Sequence, residues 1–137
     1  MATWTTPKTD WAVTDSFNIG DYNRIKNNLT YLHEESEHIY GAYAIVDMGA
    51  NITTYNGYWD VDKFNAFESN LDTINQHMLS LDIGTKLTFY PNGGFIGFAE
   101  LNRIESACLL LKSAIDGWYE AMATLSFRLG NKGGLRV

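Results

Sequence analysis

The 137-residue sequence is poor in cysteine, proline and basic residues, and each shortage excludes a class of protein. A single cysteine cannot form an internal disulfide or a cysteine-based zinc site. Ten Lys and Arg against sixteen Asp and Glu give a net charge of −6, so the broad basic surface that duplex DNA or an anionic membrane needs is missing. Two prolines and 45% apolar residues are atypical of a disordered or collagen-like chain.

Long apolar runs are missing as well. No segment reaches the roughly 18 consecutive apolar residues of a membrane-spanning helix, and the N-terminal segment lacks the apolar core of a signal peptide. We therefore expect a protein that binds neither nucleic acid nor membrane and is not exported by a signal peptide. Its length is that of one ordinary domain.

The sequence does contain a threefold internal repeat. Residues 22–29 (YNRIKNNL) recur as residues 64–71 (FNAFESNL) and as residues 101–108 (LNRIESAC). Apolar residues occupy four matching columns, 22/64/101, 25/67/104, 29/71/108 and 32/74/111, whose steps of 3, 4 and 3 place them on one face of a helix. Each copy is therefore predicted to be an amphipathic helix.

Residues that favour helix ends set the boundaries. Asn18, Asp60 and Gly97 occupy the N-cap position of the three copies, and Asp21 and Glu100 follow three residues later in two of them. The helices are predicted over 18–40, 60–80 and 97–129, and the glycines at 130–134 are predicted to end the third.

Short extended segments precede the helices. The turn-forming residues in 86–96 and, more weakly, in 49–58 predict β hairpins. The predicted fold is mainly α, a three-helix bundle built from three related helical units with short β hairpins or extended arms at one end. Its parts are an extended N-terminal arm over 1–17, a single three-helix domain over 18–129 and a flexible C-terminal tail over 130–137.

One polar column recurs beside the apolar face. Asn23, Asn65 and Asn102 place the same amide in each helix, although Asn is a mediocre helix-interior residue. We interpret these amides as structural, each tying the incoming loop to its helix, because buried polar groups must be hydrogen-bonded. Ligand binding is the alternative interpretation.

No catalytic or metal-binding pattern is found. His33 and His38 are five residues apart, whereas a helical zinc site places two His four apart on one face. Cys108 lies in an apolar column, where burial suppresses thiol reactivity. No Ser lies in a nucleophile elbow. We therefore predict no catalytic residue, no cofactor and no metal, and a protein that is not an enzyme.

Two features indicate assembly instead. A second stripe on the third helix is built mostly of small residues that permit close helix approach: Ala107, Leu110, Ala114, Gly117, Ala121 and Thr124. Its partner is either another helix of the same chain or a neighbouring subunit. Trp4 and Trp11 in the N-terminal arm have large apolar rings that must dock, either onto a neighbour or onto their own domain. The predicted interface residues are Trp4, Trp11, Ala114, Gly117 and Ala121.

Residues 11–32, WAVTDSFNIGDYNRIKNNLTYL, resemble segments of tail and baseplate-region proteins of tailed bacteriophages and prophages of Gram-positive bacteria. Residues 58–71 and 101–106 resemble further copies. The resemblance implies a non-enzymatic virion structural or adaptor protein, assembled in the host cytoplasm. It also implies that the partners are other virion proteins and that the protein forms a homo-oligomer.

Two other functions remain open at this point. Aromatic residues in predicted loops, namely Tyr55, Tyr58, Trp59 and Tyr90, are typical of a receptor- or carbohydrate-binding module of the tail. The acidic surface would suit a small regulatory or inhibitor protein that binds a basic partner.

Overall fold

A computed structural model describes residues 2–54, 60–91 and 96–132, with side chains as far as residue 126. It contains α1 (Ile19–Tyr40), α2 (Val61–His77) and α3 (Phe98–Lys132), and each helix packs against the other two. The predicted mainly α three-helix bundle is confirmed. No strand occurs among the residues described. The two hairpins stay predictions, since residues 55–59 and 92–95 lie outside that set.

The helix starts follow the predicted caps. Asn18 and Asp21 form a capping box, in which each side chain accepts the other's backbone N–H at 3.1 and 3.0 Å. Asp60 caps α2 by accepting the N–H of Asp62 at 3.0 Å. Helix α1 ends at Tyr40, as predicted, whereas the other two helix ends differ from the prediction. Helix α2 stops at His77 instead of residue 80, because the backbone leaves helical dihedral angles at Met78, with φ −100° and ψ −103°. Helix α3 continues to Lys132 instead of ending at residue 129, so Gly130 does not end it.

All twelve residues of the four apolar columns are buried. They form one core with Trp11, Ile96, Ala107 and Ile115. Burying a large apolar side chain contributes about 1.5–3 kcal/mol, so these columns are the main source of stability. The core ends at Ile115 of α3, although the apolar pattern of the third helix continues through Trp118, Met122 and Leu125. Met122 and Leu125 are exposed, as is Phe98 at the start of the helix.

Three extended segments run along the bundle, and asparagine side chains hold them there. We name them segment A (residues 3–12), segment B (42–53) and segment C (79–90). In each segment, the backbone N–H of one residue donates to the carboxamide oxygen of an Asn, and the backbone carbonyl of that residue accepts from the amide nitrogen of the same Asn. The Asn thus makes the two hydrogen bonds that a neighbouring strand would make. The pairs are Trp11 with Asn102 (2.7 and 3.0 Å), Ile52 with Asn23 (2.9 and 2.9 Å) and Phe89 with Asn65 (2.7 and 2.9 Å).

These bonds link the three units in a ring. Helix α1 holds the segment before α2, helix α2 holds the segment before α3, and helix α3 holds the segment before α1. Our expectation that each amide binds the loop entering its own helix therefore named the wrong loop. The bonds close the ends of the chain onto each other, since Asn102 near the start of α3 holds Trp11 in segment A.

Segments A and B are each bonded to a second Asn, which lies on the helix that follows the segment in the chain. Asn28 of α1 makes the same pair of bonds with Thr5, at 2.9 and 2.7 Å, and Asn70 of α2 does so with Val46, at 2.8 and 2.9 Å. The matching position in α3 is Ala107, which has no amide to offer.

Candidate functional site

The predicted arm residues lie on their own domain. Trp11 is 5% exposed, and its indole Nε1–H donates to Glu105 Oε2 at 2.5 Å. Trp4 is half-buried with its ring 5.6 Å from that of Tyr31, and Lys112 Nζ lies 5.6 Å from the Trp4 ring. Of the two alternatives for the arm, docking onto its own domain is the one present in this chain. Trp11 cannot contact a neighbour without leaving the core.

The stripe of small residues on α3, which we call the small-residue face, runs from the core to the solvent. Ala107 is buried against the core, whereas Gly117 and Ala121 are exposed. Apart from its chain neighbours and the nearby backbone of α3 itself, no atom of the described residues lies within 4 Å of the place where a Cβ on Gly117 would be. Neither α1 nor α2 therefore covers this face at Gly117.

The open face belongs to a part of α3 that projects past the bundle. Helix α3 has 35 residues against 22 in α1 and 17 in α2. We name residues 116–132, about 25 Å of helix, the outer half of α3. Trp118 is half-buried, and every other side chain from 116 to 126 is exposed.

The exposed surface of residues 116–126 is largely apolar. Met122 is 38% exposed and Leu125 is 47% exposed. Residues 116–126 carry only two charges, those of Asp116 and Glu120. A groove of about 420 Å³ runs beside the small residues, and its walls are Gly117, Glu120, Ala121, Thr124 and Leu125. Contiguous apolar surface of this kind marks protein–protein contact sites.

Polar contacts at the base of the outer half lie within α3 and between α3 and α1. Lys112 Nζ pairs with Asp116 Oδ2 at 2.6 Å one turn along α3. The hydroxyl of Tyr119 donates to Glu35 Oε2 on α1 at 2.7 Å, and this bond raises the pKa of Tyr119 to about 12. Sequence reasoning missed Tyr119. The available signal was the length of the third helical pattern, which exceeds what the other two helices can cover.

Two of the three histidines pack against one tyrosine, Tyr43. His33 Nε2 lies 2.8 Å from the backbone oxygen of Tyr43, and the His77 ring stacks on the Tyr43 ring at 4.1 Å. In the described part of the chain, no three His, Cys, Asp or Glu side chains come together in a way that could hold a metal. Cys108 is buried, and burial raises the pKa of its thiol well above the ordinary value.

Among the loop aromatics, only Tyr90 lies in the part of the chain that the structure describes. It is 67% exposed. Tyr55, Tyr58 and Trp59 lie outside the described residues, so the carbohydrate-binding alternative has no geometry behind it.

Comparison of the chain with protein-family models, with curated proteins and with solved structures finds no match. The described helices include none with the length and apolar character needed to cross a bilayer. The outer half of α3 is therefore the candidate site on its geometry alone.

Buried ion pairs cross two of the three helix–helix contacts. Arg24 of α1 binds Glu105 of α3 through Nε–Oε1 and Nη2–Oε2, both at 2.7 Å. Arg103 of α3 binds Glu68 of α2. Both pairs occupy the same positions of the repeat, and both carboxylates are 1% exposed.

The third helix–helix contact lacks this pair. The repeat places Ala66 of α2 where the other helices have Arg, and Lys26 of α1 where they have Glu. Lys26 Nζ instead donates to the backbone oxygen of Gly49 at 3.3 Å. A cavity of about 250 Å³ lies beside Ala66, between α1, α2 and segment B.

Proposed function

We propose that this chain is a non-enzymatic structural or adaptor protein that works through protein–protein contacts made by the outer half of α3. The observation that carries the proposal is a helix that leaves its own bundle with an apolar surface. Isolated helices of fewer than about 15 residues are marginally stable in water, and most helices draw their stability from packing. A partner that covers residues 116–126 would supply that packing.

The small residues define how a partner would approach. Ala114, Gly117 and Ala121 recur with steps of 3 and 4, so they lie along one side of α3. Glycine in a helix interior costs about 1 kcal/mol relative to alanine, and close contact with another helix is a physical reason to accept that cost. The partner surface is accordingly a helix, from a second copy or from another protein of the same assembly.

The assembly we propose is the tail or baseplate region of a bacteriophage or prophage particle. This part of the proposal rests on the resemblance of residues 11–32, 58–71 and 101–106 to proteins of that region. A small bundle with one projecting helix suits an adaptor, because the bundle provides a rigid base and the helix provides the contact. Its partners would be other virion proteins and further copies of this chain.

Purified tailed particles from the source strain test the proposal directly. We expect the chain to co-sediment with particles in a density gradient and to remain after a high-salt wash, because the contact is apolar. An Ala121→Glu variant should be excluded from particles, since it places a charge in the contact face. A Ser106→Glu variant, on an exposed position of the same helix, is the matched control and should be incorporated.

Light scattering provides a second measurement on the isolated chain. If copies associate through α3, the average molar mass of the protein in solution should rise with concentration for the wild type and for Ser106→Glu but not for Ala121→Glu. Absence of the chain from particles would contradict the assembly. Equal incorporation of both variants would contradict the surface.

A further inference from the structure

The direction and the charges of α3 indicate which partner its outer half takes. This inference rests on the proposed function, which makes the outer half a contact surface, and it adds the identity and the orientation of the partner. Helices α1 and α3 run in the same direction, since the contacts between them advance together, from Arg24 with Glu105 to Glu35 with Tyr119. The outer half therefore leaves the bundle at the end where α1 stops, and its C-terminal end lies farthest from the bundle.

Charges of opposite sign are separated along the outer half of α3. The acidic residues Asp116 and Glu120 lie near the bundle, and the basic residues Arg128 and Lys132 lie in the last two turns. A second copy of this helix that runs in the opposite direction therefore brings bases towards acids at both ends. A second copy that runs in the same direction would bring acid to acid and base to base. Charge complementarity of this kind fixes the orientation of partners more than it adds affinity.

The whole chain has the same asymmetry of charge. Residues 1–120 carry seven basic and sixteen acidic side chains, whereas residues 121–137 carry three basic side chains and no acidic one. In a parallel pair, two acidic bundles would lie side by side and repel each other. In an antiparallel pair, the bundles lie at opposite ends of the paired helices, and each basic end lies near the acidic bundle of the partner.

The groove beside the small residues indicates the register. Its walls lie on two successive turns of α3, and Glu120 carries the only charge among its described wall residues. Facing helices pack when a side chain of one enters the space between residues on two turns of the other. If the pair is centred between positions 122 and 123, position 128 of each copy lies across from Gly117 of the other. Glu120 is three residues, or about 4.5 Å of helix, from Gly117, so the base at position 128 is close to it.

We propose that the outer halves of two copies pair in antiparallel orientation, about a two-fold axis between positions 122 and 123. The exposed apolar side chains and the small residues supply the contact, and the charges at positions 120 and 128 fix its direction. A two-fold axis makes each contact occur twice, so the groove of each copy faces position 128 of the other. The product is a dimer that has one bundle at each end.

Charge reversal at positions 120 and 128 tests the orientation. Glu120→Arg alone and Arg128→Glu alone each place like charges together at both symmetric contacts, so we expect each to raise the dissociation constant of the dimer about tenfold. The double variant exchanges the two charges, and its dissociation constant should return to within about threefold of the wild-type value. In a parallel pair, like charges face each other in every one of these proteins, so no such loss and recovery would occur. Analytical ultracentrifugation over a range of protein concentrations measures the four dissociation constants.

Two controls separate the contact from other effects of the substitutions. Lys86→Glu makes the same change of charge as Arg128→Glu at an exposed position of segment C, and it should leave the dissociation constant unchanged. Cys108 is buried in the bundle, so slow reaction of its thiol in each variant verifies that the core is folded.

Three results would each overturn the proposal. They are a wild-type chain that stays monomeric up to about 1 mM, single reversals without effect, and a double variant that dimerises as weakly as the single ones. The wild-type measurement stands by itself if a variant does not fold. A monomeric chain that still co-sediments with particles would overturn the antiparallel dimer and leave the adaptor role in place. A dimer with the expected charge response that is absent from particles would support the pairing and contradict the proposed function.

Discussion

Asparagine side chains take the place of neighbouring strands in this protein. A carboxamide presents an N–H donor and a carbonyl acceptor side by side, with nearly the geometry of a peptide group, so one Asn can satisfy both polar groups of a backbone residue. The sequence reveals Asn23, Asn65 and Asn102 because all three copies of the repeat carry them. It does not reveal Asn28 and Asn70 in the same way, since Ala107 interrupts that column.

Loss of one such amide should destabilise the fold. Asn102→Ala leaves the N–H and the carbonyl of Trp11 without partners in a half-buried site, and we expect the free energy of unfolding to fall by about 1–3 kcal/mol. Urea denaturation measures it. Asn51→Ala is the control, because Asn51 is exposed and makes none of these bonds, and it should change stability by less than about 0.5 kcal/mol. Equal effects of the two substitutions would contradict the structural role.

Alanine substitutions at two glycines with positive φ distinguish the cost of backbone strain from the cost of a steric clash. Gly84 has φ 86° and Gly49 has φ 73°, so an alanine is strained at either position, by about 1 kcal/mol. A Cβ on Gly84 also meets Arg103, whereas a Cβ on Gly49 meets no atom of the described residues within 4 Å. We expect Gly84→Ala to lower the free energy of unfolding by about 1 kcal/mol or more beyond Gly49→Ala. Thermal or urea unfolding of the two variants gives this difference. A larger loss in Gly49→Ala would show that Gly84 is not packed against α3.

At the scale of elements, the helices could be predicted and the segments could not. The four apolar columns show that each repeat is a helix, and the N-cap residues show where α1, α2 and α3 begin. The segments between them have no periodic pattern, because side-chain amides hold them instead of a sheet. Helix α2 ends where Met78 leaves helical dihedral angles, and methionine is a residue that gives no signal for a helix end.

The exposure of the apolar residues in the outer half of α3 could not be predicted either, for a related reason. The pattern that buries Ile104, Leu111 and Ile115 continues to Leu125, and a sequence pattern alone does not say where the partner helices stop. Apolar residues at the same spacing are buried where α1 and α2 cover α3 and exposed where they do not. Only the relative lengths of the three helices distinguish the two cases.

The ion pair that is missing between α1 and α2 can be introduced by substitution. Lys26→Glu alone buries an unpaired carboxylate, and Ala66→Arg alone brings a guanidinium beside Lys26, so we expect each to destabilise the bundle. The double variant restores the pair found at the other two contacts, and its loss of stability should be about 1–3 kcal/mol smaller than the sum of the single losses. A double-mutant cycle by urea denaturation measures this coupling. Additive losses would mean that the third contact is not equivalent to the other two.

At the scale of the whole molecule, the chain divides into a closed bundle and a projecting helix. Residues 1–97 carry 5 basic and 12 acidic side chains, whereas residues 98–137 carry 5 and 4. The net negative charge therefore lies on α1, α2 and the three segments, whereas the charges of residues 98–137 nearly balance. Within residues 116–126, which we propose as the contact, only Asp116 and Glu120 are charged, and few charged groups are what an apolar contact requires.

The single thiol reports on the bundle as a whole. Cys108 is 1% exposed and its pKa is raised by burial, so a thiol reagent at about pH 8 should react with the native protein only as fast as the bundle unfolds. We expect full reaction in denaturant and very slow reaction in buffer, followed by absorbance. Ala121→Glu should react as slowly as the wild type, because position 121 lies outside the core. Rapid labelling of the native wild type would mean that the core around Cys108 is open.

The most direct test of the account is site-specific photocrosslinking from the outer half of α3 in cells that make the particle. A photoreactive residue at position 125 is compared with one at position 79, since Leu125 and Leu79 are similarly exposed, at 47% and 52%. The account predicts a defined crosslink from position 125, to a second copy or to one other virion protein, and none from position 79. A crosslink from position 79 with none from position 125 would contradict it.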